Sequence, residues 1–139
     1  MFILDTNILS AMMRLERVPE VAAWIEGRDE DTLFTTAISQ AEIFSGLAVM
    51  ADGRRRGDLE KTARGMFEEF DNRILPFDMK AASAYAELFA EGRKMGRPAA
   101  TLDLMIASIA YSQGASIVSR DTAGFEGCGL TLINPWDGV

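Results

Sequence analysis

The sequence begins with an apolar run of strand type that ends in an acidic residue, and a helical pattern starts immediately afterwards. Phe2-Ile3-Leu4 is short and apolar, as in a buried strand, and Asp5, Thr6 and Asn7 are residue types that cap helix N-termini. We therefore expect Asp5 to lie where a central strand meets the first helix. Because ligands of open α/β sheets bind beyond the carboxyl ends of the strands, Asp5 is either a helix cap or a ligand-handling group.

Strand-like and helix-like segments alternate along the rest of the chain. Further strands are predicted at 32–36, 74–77, 115–119 and 130–133, and helices at 6–13, 20–27, 37–50, 52–72, 78–95 and 101–113. Segment 37–50 is apolar on almost every side, so we expect a buried helix there. The alternation predicts an α/β fold in which a mainly parallel sheet of four to five strands carries helices on both faces. The length of 139 residues predicts one domain, residues 1–139.

The chain contains no histidine and a single cysteine, Cys128. The absence of histidine excludes Ser-His-Asp and Cys-His nucleophile systems and most zinc sites. If the protein is an enzyme, its chemistry must rest on carboxylates, hydroxyls and a hard metal ion. A lone cysteine forms no internal disulfide, and neither a signal peptide nor a bilayer-spanning segment is visible. We therefore expect a cytoplasmic protein that does not associate with membranes.

The net charge of −7 and the pI of about 4.6 have the wrong sign for a protein that coats nucleic acid. A nuclease is still allowed, because acids clustered at a metal site can carry much of the negative charge. Contact with nucleic acid must then be local. The candidate basic residues are Arg14, Arg17, Arg54, Arg55, Arg56, Arg93, Lys94 and Arg97. Arg97, close before Asp103, is the preferred phosphate contact, whereas the run at 54–56 is more typical of a solvated helix start.

Three apolar segments each contain one charged side chain, and in each case it is an acid: Asp5, Glu42 or Asp103. A fourth acid, Asp121, follows a predicted strand. Carboxylates in apolar surroundings are costly unless they are hydrogen-bonded, paired or bound to a cation. Four of them close together would repel one another, and Mg²⁺ or Mn²⁺ would relieve that repulsion.

Each acid also has an ordinary structural interpretation. Asp5 could be only a helix cap, and Glu42 could be exposed or paired with an arginine. Asp103 could complement the positive end of a helix dipole, and Asp121 could belong to a turn. Spacing alone therefore leaves both interpretations open.

At these positions the chain resembles PIN-domain proteins, and more narrowly the VapC/FitB toxins of bacterial type II toxin–antitoxin modules. The resemblance rests on four segments: Leu4-Asp5-Thr6-Asn7, residues 36–42 (TAISQAE), residues 103–107 (DLMIA), and Ser119-Arg120-Asp121 followed by Phe125. Residues 75–78 and Asn134-Pro135-Trp136 are similar to the FitB-like and plasmid-stability branch. The resemblance covers nearly the whole chain.

This resemblance implies a Rossmann-like PIN fold and an Mg²⁺-dependent or Mn²⁺-dependent endoribonuclease that hydrolyses RNA phosphodiester bonds. The implied metal-binding and catalytic acids are Asp5, Glu42, Asp103 and Asp121, with Thr6, Asn7 and Ser39 as supporting polar residues. The fourth acidic position varies within the family, so Asp121 is the ligand with the weakest support. The resemblance also implies a homodimer and a small cognate VapB/FitA-like antitoxin, through which alone the protein would contact DNA.

Two other functions are compatible with the same residues. One is a metal-dependent phosphatase or nucleotidase. Phosphatases with a nucleophilic aspartate usually carry a second aspartate two residues later, where this chain has Asn7. The other is a catalytically silent PIN scaffold that acts through partner binding, and the presence of all four acids is an argument against it.

Overall fold

Five short strands form one parallel sheet in the computed structural model, which describes residues 1–14, 17–97 and 99–137. The spatial order is β3-β2-β1-β4-β5, and every neighbouring pair is parallel. The strands are β1 (Phe2–Leu4), β2 (Leu33–Thr36), β3 (Ile74–Leu75), β4 (Ser116–Val118) and β5 (Leu132–Ile133). The N-terminal strand is therefore the central one, and Ile3 pairs with Phe34 of β2 and Ile117 of β4.

Six α-helices connect and flank these strands within the described residues. They are α1 (Thr6–Met12), α2 (Pro19–Glu26), α3 (Ala37–Ala48), α4 (Arg54–Phe70), α5 (Met79–Lys94) and α6 (Thr101–Gln113). Local capping fixes several of their ends. The Asp78 carboxylate accepts a hydrogen bond from the backbone N–H of Ala81 (2.9 Å) at the start of α5, and Gly114 ends α6 in the left-handed conformation (φ 63°).

The helices pack on both faces of the sheet, as the alternation of segments predicts. Successive side chains of a strand point to opposite faces. Leu4 accordingly belongs to a core with residues of α1 to α4, such as Ile8 and Phe67, whereas Ile3 belongs to a core with residues of α6, such as Ile106. The predicted α/β fold with helices on both faces is therefore confirmed, and the sheet has five strands.

The prediction of a buried helix at 37–50 is wrong for one face of α3. Only Ser39, Ile43 and Leu47 of this helix are buried, whereas Ala37 and Ala41 are exposed. Alanine adds to the apolar composition of a segment but offers little surface to bury. The apolar composition of residues 37–50 therefore led to a prediction of more burial than α3 has. The predicted end at Met50 also lies beyond Ala48, where the helix stops.

The described helices include none that is both long and apolar enough to cross a membrane.

Candidate active site

Asp5 directly follows β1 at the centre of the sheet, and its side chain is held at that position by hydrogen bonds. It is only 5% exposed. Its Oδ1 accepts from the backbone N–H of Thr6 (2.8 Å), while Oδ2 accepts from the Ser119 hydroxyl (2.8 Å) and the Asn7 amide (3.5 Å). Asp5 is thus the N-cap of α1, and it also presents a buried carboxylate at the carboxyl edge of the sheet.

Ser119 joins the ends of the two central strands. Its fully buried hydroxyl donates to Asp5 and accepts from Asn7 Nδ2 (3.1 Å) and from the backbone N–H of Asp121 (3.1 Å). Asn7 in turn accepts from the backbone N–H of Arg120 (3.0 Å). These bonds fix the segment that carries Asp121 beside Asp5. Sequence reasoning did not select Ser119 as a site residue, although a polar residue two positions before an acid, at a strand end, was a usable signal.

Helix α3 brings Glu42 to the same edge of the sheet. Thr36 ends β2 and caps α3 by accepting from the backbone N–H of Ser39 (3.1 Å), and Glu42 lies about one turn further on. The Thr6 hydroxyl lies 2.9 Å from both Glu42 Oε1 and the Ser39 hydroxyl. Because a hydroxyl has one proton, Thr6 donates to the carboxylate and accepts from Ser39. Thr6 and Ser39 therefore orient the Glu42 side chain.

Asp103 and Asp121 approach each other across Gly124. Asp103 lies in the first turn of α6, and Gly124 belongs to the 3₁₀ turn Thr122–Phe125 that follows Asp121. A Cβ atom at Gly124 would lie 3.4 Å from Oδ2 of each aspartate. Glycine at this position therefore keeps the space between the two carboxylates open. Sequence reasoning also missed Gly124, for which the sequence offered no particular signal.

The carboxylates interact electrostatically. Burial raises the pKa of Asp5, hydrogen bonds from Ser119 and Thr6 oppose that rise, and the nearby charges of Glu42 and Asp121 add to it, so that the pKa is raised overall. The pKa of Asp103 is raised by burial, then by Asp5 and Asp121. The structure thus brings all four predicted acids together, although they come from four distant parts of the sequence.

The donor set of this acid cluster (Asp5, Glu42, Asp103 and Asp121) fits a hard divalent cation. All its donors are oxygens, and the raised pKa values of Asp5 and Asp103 mark negative charge that a cation would stabilise. Among the described residues, no three acidic side chains already surround one point as metal ligands do. The partly exposed Asp103 and the exposed Asp121 have room to turn toward an ion.

Arg97, the predicted phosphate contact, lies near this cluster. It is exposed and lines a cavity of about 300 Å³ together with Arg93 and Gly124, the residue that borders Asp103 and Asp121. A role in binding RNA remains a prediction. The neighbouring residue Pro98 lies outside the described residues.

The sequence and the fold match a known family. The family model described as the PIN domain matches residues 2–127, so the chain belongs to the PIN domain family. It is 41% identical over 138 residues to the plasmid stability protein StbB of Pseudomonas syringae pv. tomato, with 99% of each chain covered. It is 38% identical to the VapC ribonuclease Y4jK of Sinorhizobium fredii, again with 99% of each chain covered.

A solved structure shows that the similarity extends to the fold. The crystal structure of FitAcB from Neisseria gonorrhoeae superposes with a TM-score of 0.91 at 30% sequence identity. The match covers 98% of this chain and 99% of that chain. The resemblance to the VapC/FitB group is thereby confirmed.

Proposed function

We propose that this protein is the ribonuclease toxin of a type II toxin–antitoxin module, and that it hydrolyses RNA phosphodiester bonds with Mg²⁺ or Mn²⁺ as cofactor. The observation that carries the proposal is the position of four carboxylates at the carboxyl edge of the sheet, where hydrogen bonds of Ser119 and Thr6 and the open space at Gly124 hold them. Carboxylates held close together despite their repulsion are typical of a site that uses a divalent cation on phosphate esters. The ribonuclease activity named for Y4jK supports the choice of RNA.

In this proposal, each acid has a role that follows from its position. Asp5 is held by Ser119, Asn7 and the Thr6 backbone, so it presents a fixed carboxylate to the cation. Glu42 is oriented by Thr6. Asp103 and Asp121 close the other side across Gly124. When bound, the ion would supply positive charge that offsets charge developing on the phosphate and favours ionisation of an attacking water.

The test is cleavage of a mixed RNA pool by the purified protein with Mn²⁺, with Mg²⁺ and with EDTA. We expect cleavage only with a divalent cation. Asp103→Asn keeps the size of the side chain but removes one negative charge from the acid cluster, so its cleavage rate should fall by roughly 100-fold or more. The matched control is Asp31→Asn, an exposed aspartate that precedes β2 and therefore lies at the edge of the sheet opposite the acid cluster. This variant should cleave at the wild-type rate.

Other outcomes would favour a different function. Cleavage that survives in EDTA or in Asp103→Asn would count against the metal site. Hydrolysis of a generic phosphomonoester without RNA cleavage would favour a phosphatase. Binding of a divalent metal with neither activity would favour a silent scaffold.

The proposal includes two protein partners. The first is a small DNA-binding antitoxin of the VapB/FitA type, and the structural similarity to FitB in the FitAcB complex supports it. The second is another copy of this chain, and the exposed Phe89, Met95, Leu102 and Tyr111 in and after α5 and in α6 are apolar residues available to such an interface. Light scattering of the chain, purified alone and after co-expression with the protein encoded next to its gene, would measure both associations.

A further inference from the structure

A groove leads away from the acid cluster between α1, α3 and α4. Thr6 and Glu42, which belong to the proposed active site, lie on its wall. Its volume is about 960 Å³, and part of its lining is apolar, with Met13, Leu47 and Leu59. A strand of RNA whose reacting phosphate lies at the acids must continue over the adjacent surface, and this groove is adjacent to Glu42.

The groove is basic in a chain that is strongly acidic overall. Four arginines line it (Arg14, Arg17, Arg54 and Arg55), against two acidic residues, Glu42 and Asp58. The net charge of the chain is −7, so such a concentration of positive charge is local. Among the described residues, neither Arg54 nor Arg55 forms an ion pair, and both side chains are exposed. Their guanidinium groups are therefore available for a ligand.

The third arginine of the run has a different role. Arg56 donates to Asp52 (2.9 Å), to Glu60 (2.8 Å) and to the backbone carbonyl of Met50 (3.2 Å), and these bonds tie the start of α4 to the preceding loop. The interpretation of the whole run as a solvated helix start therefore does not hold for Arg56, which supports the local structure. Among the described residues, Arg54 and Arg55 have no comparable structural role.

Helix stability does not account for Arg54 and Arg55 either. They occupy the first turn of α4, where the helix dipole is positive, and that turn contains no acidic residue. Cations at a helix N-terminus destabilise the helix, so these arginines carry a small energetic cost. A function outside the helix is the simpler explanation for them.

We propose that Arg54 and Arg55 bind backbone phosphates of the RNA strand on one side of the scissile bond, in the groove that starts at Glu42. Arginine is suited to this role because its planar guanidinium forms two parallel hydrogen bonds to phosphate oxygens. The partly exposed apolar side chains of Met13 and Leu59 contact the sugars and bases. The proposal rests on the proposed ribonuclease function and explains how an acidic protein holds a polyanion.

The experiment measures binding separately from cleavage. A labelled single-stranded RNA of mixed sequence is titrated with protein over a series of salt concentrations, in an Asp103→Asn background that keeps the RNA intact. The test variant is Arg54→Gln with Arg55→Gln. The matched control is Arg64→Gln, an exposed arginine of the same helix that does not line the groove. Circular dichroism and thermal unfolding verify that all variants fold.

We expect the double variant to bind RNA roughly tenfold more weakly at low salt, independently of sequence, because nonspecific affinity depends on phosphate neutralisation. The slope of log affinity against log salt should become shallower by about 0.7 for each arginine, as for single strands. In the wild-type background, the same double variant should raise KM for RNA with little change in kcat. Arg64→Gln should leave all three quantities unchanged.

Two results would overturn the proposal. The first is an unchanged salt slope and affinity in the double variant. The second is unchanged RNA binding combined with lost association with the antitoxin, which would make the groove a protein-docking surface. The failure of this inference is distinguishable from failure of the ribonuclease proposal. If RNA binding depends on Arg54 and Arg55 but the wild-type protein never cleaves RNA, this inference is supported and the ribonuclease proposal is contradicted.

Discussion

Ser119 connects Asp5 to the segment that carries Asp121 through three hydrogen bonds, which join its hydroxyl to Asp5, Asn7 and the Asp121 backbone. Ser119→Ala removes the hydroxyl that donates to Asp5, so this buried carboxylate is less well oriented and its pKa rises further. We expect a loss of about 1–2 kcal/mol in the free energy of unfolding and a fall of roughly tenfold in the rate of RNA cleavage. Urea denaturation and initial cleavage rates measure the two effects.

Ser108→Ala is the matched control for this change. Ser108 is also fully buried, but its hydroxyl donates to the carbonyl of Leu104 within α6, away from the acids. The Ser108→Ala variant should lose no more stability than Ser119→Ala and should cleave RNA at the wild-type rate. If both variants lost activity equally, the role of Ser119 would be only structural.

At the residue scale, the sequence predicted the charged groups better than the groups that position them. Asp5, Glu42 and Asp103 stand out because each is the one charge in an apolar segment. Ser119 carries no such contrast, and its importance arises from a partner 114 positions away in the chain. A hydrogen bond of that range becomes visible only when the strand pairing is known.

The 3₁₀ turn after β4 sets the width of the site through Gly124. Gly124→Ala would place a methyl group 3.4 Å from both Asp103 Oδ2 and Asp121 Oδ2, at the edge of ordinary contact. We expect the variant to fold but to bind Mn²⁺ more weakly, by roughly tenfold, because coordinating carboxylates have less room to turn toward an ion. The shift of the unfolding temperature by added Mn²⁺ measures this binding.

Gly65→Ala serves as the comparison, since Gly65 lies within α4 and a Cβ atom there would meet nothing within 4 Å. It should gain up to about 1 kcal/mol of stability from better helix propensity and bind Mn²⁺ as the wild type does. Equal Mn²⁺ responses in the two alanine variants would contradict the role of Gly124.

At the scale of elements, segments with clear end signals were predicted well. Helix α6 occupies the predicted residues 101–113 because Gly114 ends it in a conformation that glycine adopts without strain. The predicted strand at 130–133 is shorter, Leu132–Ile133, because only these two residues pair with β4. Strand length depends on the neighbour as much as on the segment itself, so a single sequence does not define it.

For the whole molecule, the acid cluster makes folding depend on pH. The pKa values of Asp5 and Asp103 are raised above the ordinary value of 3.8, so the folded protein takes up protons more readily than the unfolded chain. When the pH is above the pKa values that Asp5 and Asp103 have in the folded state, both groups are ionised and their destabilisation of the metal-free protein is complete. The destabilisation disappears as the pH falls through those values toward 3.8.

Asp103→Asn tests this dependence, because it removes one of the repelling charges. In EDTA at neutral pH we expect its unfolding temperature to exceed that of the wild type by about 1–3 °C, a modest gain because Asp103 is partly exposed and solvent screens its charge. The difference should shrink as the pH is lowered. Excess Mn²⁺ should reverse the order, since the wild type binds the ion better. A difference independent of pH would contradict the electrostatic explanation.

The order of strands was the part of the architecture that the sequence did not specify. Apolar runs and caps predict which segments are strands, but each of the five runs is short enough to occupy several places in a sheet. The central position of β1 reflects its pairing with β2 on one side and β4 on the other. Contributing to both cores does not distinguish it, because the edge strand β3 does so too, through Ile74 and Leu75. Neither pairing partner is evident from a three-residue strand alone.

The central position of β1 has a consequence for protein synthesis. Strand β1 leaves the ribosome before both of its neighbours in the sheet, β2 and β4. The Asp5 carboxylate is not held until Ser119 has also been made. A nascent chain that has emerged only through α6 contains Asp5, Glu42 and Asp103 but lacks Asp121 and the fourth strand. The site can therefore assemble only after synthesis has passed β4 and Asp121.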